Sequence, residues 1–360
     1  MALGIPFAVN NFSAFWAVRN MAVLFLCVCL PLQAFTTSIR KVRLWLYTFL
    51  AVAVYSGGWA ILHSGFGAGG LDENYVAALM GMAVGIAYFM VFSERRIVLR
   101  LLLGISIVIF LAAVAAAFDP SRGGFLGLCA VGLYCLYRSP RKALGLGVLA
   151  LAAVSLLVIA GPAFWANIAT TTDYQDGTGD IRLEIWKAGV RMWQANPLIG
   201  VGPGNFIWRV GEFQSAEQFA KFGRSFGGAI VAHSFWVEML AELGVFGVIA
   251  TMILIWSTWR GLGKLQQEIK RAGPGADDEL FKLSCYADAI RVGIVATLVN
   301  GVFLSLFYYP QLWLLLAIGS ALPFIYGRNS AESRGVTRTR SSRSKHRMAG
   351  RSGFAGFTSP

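Results

Sequence analysis

The chain has 360 residues, of which 56% are hydrophobic and only 14% charged, against about 25% charged in a soluble domain. The apolar residues fall in continuous runs of about 17–25, the length of a spanning helix and unlike the alternation of a barrel strand, so the composition excludes a set of soluble domains and implies an all-α, polytopic helical membrane protein. The net charge of +13 sits between apolar runs and in the C-terminal tail, which is the placement of the positive-inside rule and argues against nucleic acid as a partner and for membrane lipid.

The runs predict about nine spans, at 14–35, 44–63, 75–93, 97–118, 123–137, 143–165, 234–259, 289–307 and 310–326. Arg40, Lys41 and Arg43 follow the first run, Arg95 and Arg96 the third, and Arg138, Arg141 and Lys142 the fifth. Arg260, Lys264, Lys270, Arg271 and Lys282 fall in the link 260–288, and a run of Arg and Lys from Arg328 to Arg351 ends the chain. With nine crossings all of these share one side, which puts the C-terminus in the cytoplasm and the N-terminus outside. An outer N-terminus with no basic n-region ahead of the first run points to one or more further spans upstream of 1–11 in the reading frame.

On this reading the chain divides into an N-terminal transmembrane bundle (1–165, six spans), a periplasmic loop (166–232), C-terminal transmembrane helices (233–326) and a basic, disordered tail (327–360). Cys27, Cys29, Cys129 and Cys135 lie in apolar runs and Cys285 in a cytoplasmic segment, so they form no disulfide or zinc framework and serve as small apolar fillers. The long loop contains DIRLEIWKAGVRMWQANP, in which Ile185, Val190, Met192 and Trp193 alternate with Arg182, Glu184, Lys187 and Arg191. That pattern predicts an amphipathic helix ended by Asn196-Pro197, and the Gly/Pro cluster IGVGPGNF predicts a turn after it.

Three groups on the outer face could carry chemistry: Arg122 in SRGG, Arg182 at the start of the amphipathic helix, and His233 in AHSFWVEMLAELGVFG. Ionisable groups at a membrane edge are costly and are functional candidates for that reason. A guanidinium fork matches phosphate oxygens, and a neutral imidazole takes a proton from a hydroxyl near pH 7. Taken singly, each also has an ordinary reading: a snorkelling arginine, a helix-surface charge beside Asp180 or Glu184, and an interfacial histidine. Trp186, Trp193 and Trp208 read most simply as interfacial anchors. Asp173, Asp176, Asp180 and Glu184 read as a solvated acidic loop, without the compact spacing of a metal site.

DIRLEIWKAGVRMWQANPLIGVGPGNF, AHSFWVEMLAELGVFG, SRGG and GGLDEN together resemble the bacterial O-antigen ligase / O-antigen polymerase superfamily of membrane glycosyltransferases, over about residues 70 to 260. Two departures stand out: Ser234 follows the motif histidine where many members have Asn, and the span count is lower than usual. The resemblance implies transfer of a glycan from a polyprenyl (undecaprenyl) diphosphate carrier to an acceptor hydroxyl on the periplasmic face of the bacterial inner membrane. It implies a lipid A-core, polysaccharide or protein acceptor, no cofactor, no metal, and inversion at the anomeric carbon. Carried over by position, Arg122 and Arg182 would hold the diphosphate and His233 would activate the acceptor. Arg191 and Arg224 are weaker donor contacts, and Glu242 has a supporting role. A polymerase or a protein O-glycan ligase would share this chemistry. A lipid-linked sugar transporter is the alternative from another class, though transporters place polar residues near the bilayer midplane.

Overall fold

A computed structural model describes residues 1–117, 121–169, 178–222, 230–271 and 278–328. The expected tail, Asp173, Asp176, Arg224 and the side chain of Asp180 lie outside the described residues. The architecture is all-helical. In chain order the helices are α1 (Asn11–Phe35), α2 (Ile39–Leu62), α3 (Glu73–Ser93), α4 (Ile97–Ala115), α5 (Arg122–Arg138), α6 (Lys142–Ile159), α7 (Pro162–Ala169), α8 (Thr178–Ala195), α9 (Phe206–Arg209), α10 (Ala216–Phe222), α11 (Phe235–Arg271), α12 (Asp278–Asn300) and α13 (Pro310–Arg328). Eight of them are long and apolar enough to cross a membrane: α1 to α4, α6 and α11 to α13. The remaining expected span, the fifth at 123–137, is α5, whose 17 residues rise about 25 Å. The chain is a multi-pass membrane protein.

Local sequence explains the helix ends. Asn10, Ser38, Asp72 and Ser121 each cap a helix by accepting a bond from the backbone N–H two or three residues on. In α1 the residues Leu24–Cys29 widen into a π turn just before Pro31, which lacks an N–H and crowds the carbonyl four residues back. α3 is apolar all round and sits at the centre of the bundle against α2, α4, α5 and α12, its spanning stretch entirely buried. Gly85 lets α12 approach so closely that a Cβ there would stand 2.7 Å from Val292, the small-residue contact by which helices associate in lipid.

Two expected spans are displaced. The segment predicted at 289–307 is instead helical over Asp278–Asn300, while 301–309 forms turns. The polar residues 278–288 lower the hydropathy of that helix's first half, yet they are satisfied inside the protein. Asp288 accepts from Arg138 Nε at 2.9 Å, and Gln266 Oε1 accepts from Arg138 at 2.6 Å and Arg291 at 2.9 Å. Arg291 also lies 4.6 Å over the Trp259 ring. These bonds tie α5, α11 and α12 at the end of the bundle that also carries the Arg43–Glu94 and Arg95–Asp278 pairs. The segment predicted at 143–165 breaks at Ala160-Gly161, ahead of Pro162, into α6 and α7.

At the opposite end α11 is broken. Gly244 has φ 62° and ψ −166°, a conformation essentially confined to glycine. In an unbroken helix the N–H groups of Val245 and Phe246 would bond the carbonyls of Ala241 and Glu242. Here they donate to the carbonyls of Pro197 and Leu198, at 2.9 and 3.2 Å. The released carbonyls of Ala241 and Glu242 accept from Val201 and Gly202, at 2.9 and 3.1 Å. The loop 197–202 thus replaces the two lost helix bonds on both sides, which apolar surroundings require. The fit leaves no room for a methyl group: a Cβ on Gly244 would lie 2.5 Å from the Leu198 carbonyl carbon, and one on Gly200 2.3 Å from that of Glu242. Gly244→Ala is expected to destabilise the fold by about 3 kcal/mol, from backbone strain and overpacking together. Gly81→Ala, in a helix where a Cβ meets nothing within 4 Å, should be neutral or stabilising by less than ~1 kcal/mol. Thermal unfolding of both variants in detergent, compared with the parent, checks this.

Candidate active site

Glu242 is 2% exposed, and its carboxylate gathers the loop onto the kink. It accepts from the backbone N–H of Gly204 at 2.7 Å and of Phe206 at 2.8 Å, and from the Tyr308 hydroxyl at 2.5 Å. The same turn is gripped from the N-terminal side. Asn10 N–H donates to Asn205 Oδ1 at 2.9 Å and the Ser13 hydroxyl to the Gly204 carbonyl at 2.8 Å. A buried carboxylate with three donors is well satisfied, and the supporting role expected for Glu242 has this concrete form.

The turn in turn seats α8. Ile185, Ala188 and Met192 bury one face of that helix in a small core with Val201, Phe206, Val210, Ala232 and Ala241. Val190, expected on the apolar face, is instead 37% exposed, since it lies off the 185–188–192 stripe. Gly189 packs so tightly on α11 that a Cβ would stand 2.5 Å from Val237. Trp186, expected as an interfacial anchor, donates its indole N–H inward to the Ala232 carbonyl at 3.0 Å. Arg191 Nε donates to the Phe213 carbonyl at 2.7 Å and a second guanidinium nitrogen to Gln218 Oε1 at 2.5 Å, which fastens the outer part of the loop. It lies nine residues along α8 from Arg182, a rise of about 13 Å.

This docking puts Arg182 within electrostatic reach of His233. His233 has φ 47°, the left-handed region that a non-glycine residue seldom adopts without a functional or structural reason. Burial is the first cause that lowers the imidazole's proton affinity, the Arg182 guanidinium is the second, and Asp72 opposes them. The net shift is downward, so near pH 7 the ring is neutral and able to accept a proton. Arg122 stands at the first turn of α5, its Nε donating to Asn167 Oδ1 at 3.4 Å. It reaches the same end of the fold through the 301–309 segment. A Cβ on Gly123 would lie 2.8 Å from Phe303 Cβ, and Phe235 N–H, two residues after His233, donates to the Gly301 carbonyl at 2.8 Å. Among the described residues no three His, Cys, Asp or Glu side chains cluster with the geometry of a metal site.

Residues 107–252 match a family model described as O-antigen ligase. Over that segment the chain is similar to the O-antigen ligase family. No curated protein matches the chain. The matched segment holds Arg122, Arg182, Arg191, Arg224, His233 and Glu242, the candidate positions named from the sequence.

Three contributors to this candidate site escaped the sequence reading. Asp72 entered the sequence reading only as part of GGLDEN; its influence on His233 depends on where α3 stands in the bundle. Tyr308 lay at the edge of a predicted span, with no signal that it faces Glu242. Glu238, one turn before Glu242 on α11, is buried with one carboxylate oxygen lacking a partner among the described residues, near the stacked rings of Tyr75 and Tyr309. His63, by contrast, stacks on Trp59 at 4.1 Å.

Removing the Arg182 charge should raise His233's proton affinity, because a cation beside the ring disfavours its protonated form. Arg182→Gln is therefore expected to move the pH midpoint of His233 carbethoxylation upward, in a background with His63 and His346 replaced by Gln. An unchanged midpoint would show that the two groups do not interact.

Proposed function

We propose that the chain transfers a glycan from a polyprenyl-diphosphate carrier to an acceptor hydroxyl, at the end of the bundle that holds His233. The observation that carries this reading is the pairing of a neutral, left-handed His233 with the Arg182 cation inside the segment matching the O-antigen ligase family. His233 removes the hydroxyl proton as the acceptor oxygen bonds to the anomeric carbon. The bond from that carbon to the diphosphate breaks, and Arg122 and Arg182 neutralise the charge that develops on the leaving group. Direct displacement of this kind inverts the anomeric carbon and needs no metal, because guanidinium groups supply the positive charge. Arg191, fastened to Phe213 and Gln218, serves the donor indirectly by holding the loop.

The basic end of the bundle, with Arg95, Arg96, Arg138 and Arg141, faces the cytoplasm under the positive-inside rule, so the reaction takes place on the periplasmic face of the bacterial inner membrane. A lipid carrier reaches such a site from the bilayer. The acceptor is lipid A-core, a polysaccharide or a protein, and a polymerase would use the same groups on a growing chain.

The test is transfer in vitro from a polyprenyl-diphosphate oligosaccharide to lipid A-core or another acceptor, with and without EDTA. Transfer should survive EDTA and fall by at least about 10³-fold in His233→Ala and in Arg182→Ala, the loss typical of a general base or of an electrostatic contact to the leaving group. Unimpaired transfer by His233→Ala would overturn the base assignment. A product with retained anomeric configuration would overturn direct displacement, and donor that crosses liposomes without being transferred would point to transport.

A further inference from the structure

His233 depends on a backbone conformation that its own side chain does not favour. The left-handed φ of 47° is unfavourable for a non-glycine residue and persists only where the surroundings hold it. Ser234 on its C-terminal side begins α11, its hydroxyl accepting from Val237 N–H at 3.4 Å, and Phe235 is pinned to the Gly301 carbonyl. On the N-terminal side Ala232 is wholly buried, and its carbonyl accepts the indole N–H of Trp186. That indole belongs to the helix that carries Arg182, four residues earlier and so on the same face.

Ala188, Gly189 and Met192 give α8 its close approach to α11, and Trp186 adds one directed bond at the residue before His233. We propose that Trp186 is a positioning residue, whose indole N–H fixes the backbone of His233 and thereby keeps the imidazole beside the Arg182 guanidinium. The charged groups that act on the ring come from two other elements: Arg182 from α8 and Asp72 from the start of α3. Trp186 governs how far the ring stands from Arg182, because the two residues share one rigid helix and the indole holds the Ala232 carbonyl. This assignment rests on the glycosyl-transfer reading for its catalytic meaning, and on the geometry alone for its structural meaning.

Trp186→Phe keeps an aromatic ring and removes the N–H. In the background lacking His63 and His346, the carbethoxylation midpoint of His233 should move upward, toward the ordinary histidine value, as the ring leaves its buried place beside Arg182. Adding Trp186→Phe to Arg182→Gln should move the midpoint by less than Trp186→Phe alone does, because the charge being escaped is already gone. In the transfer assay kcat should fall about tenfold with KM for the donor unchanged, the equivalent of one hydrogen bond. Benzothienylalanine at position 186, which retains the bicyclic shape without the N–H, should reproduce the shift and guards against a packing effect of Phe. Ile185→Val, which loosens the same helix from its core, should lower stability without moving the midpoint. An unchanged midpoint in both 186 variants would overturn the proposal, and so would a rise in KM at constant kcat, which would make Trp186 a substrate contact. The midpoint is read without any transfer, so a protein that transfers no glycan would sink the functional reading and leave this coupling standing or falling by itself.

Discussion

Two hydrogen bonds missing from one helix organise the active end of this protein. At Gly244 the chain leaves the helical path, and α11 would face the membrane with two bare carbonyls and two bare N–H groups. Each such group left unpaired in an apolar setting costs on the order of 1–3 kcal/mol. Residues 197–202 supply all four partners. The loop is therefore not draped over the bundle but built into it, and whatever the loop carries inherits the rigidity of α11. Glu242, whose own carbonyl takes part, extends the same join through its carboxylate to Gly204, Phe206 and Tyr308.

From that join the placement of charge follows. Phe206 enters the small core beneath α8, Gly189 lets α8 lie directly on Val237, and Arg182 comes to stand beside His233. Burial and a neighbouring cation act in the same direction on the imidazole, leaving it neutral near pH 7. The three helices that frame this end, α5, α11 and α12, are tied at the far end by Arg138, Asp288, Gln266 and Arg291. Paired charges inside the bundle serve as structure there, while the loop end carries Arg122, Arg182 and His233.

Much of the fold was legible because its causes are local. Runs of apolar residues of spanning length, Asp72 and Ser121 before helices, and a basic residue at every second link are all properties of neighbouring residues in the chain. Where the reading slipped, the cause was non-local. The start of α12 looked like a polar link because Asp288 is polar, and only its pairing with Arg138 explains why it lies inside. The segment 301–309 looked like membrane because it is apolar, and only its contacts with Gly123, Phe235 and Glu242 explain why it turns there. Trp186 looked like an interfacial anchor because nothing in sequence reports where an indole N–H points.

The sequence by itself determined that this is a multi-pass helical membrane protein with one large loop, and it marked Arg122, Arg182, His233 and Glu242 as the groups to follow. It could do so because spanning length, the placement of charge and residue chemistry are read along the chain. The tertiary structure alone decided how those groups meet. A glycine kink in α11, a loop hydrogen-bonded into it and an indole bound to the residue before His233 join positions more than thirty residues apart, and no local preference encodes such distances.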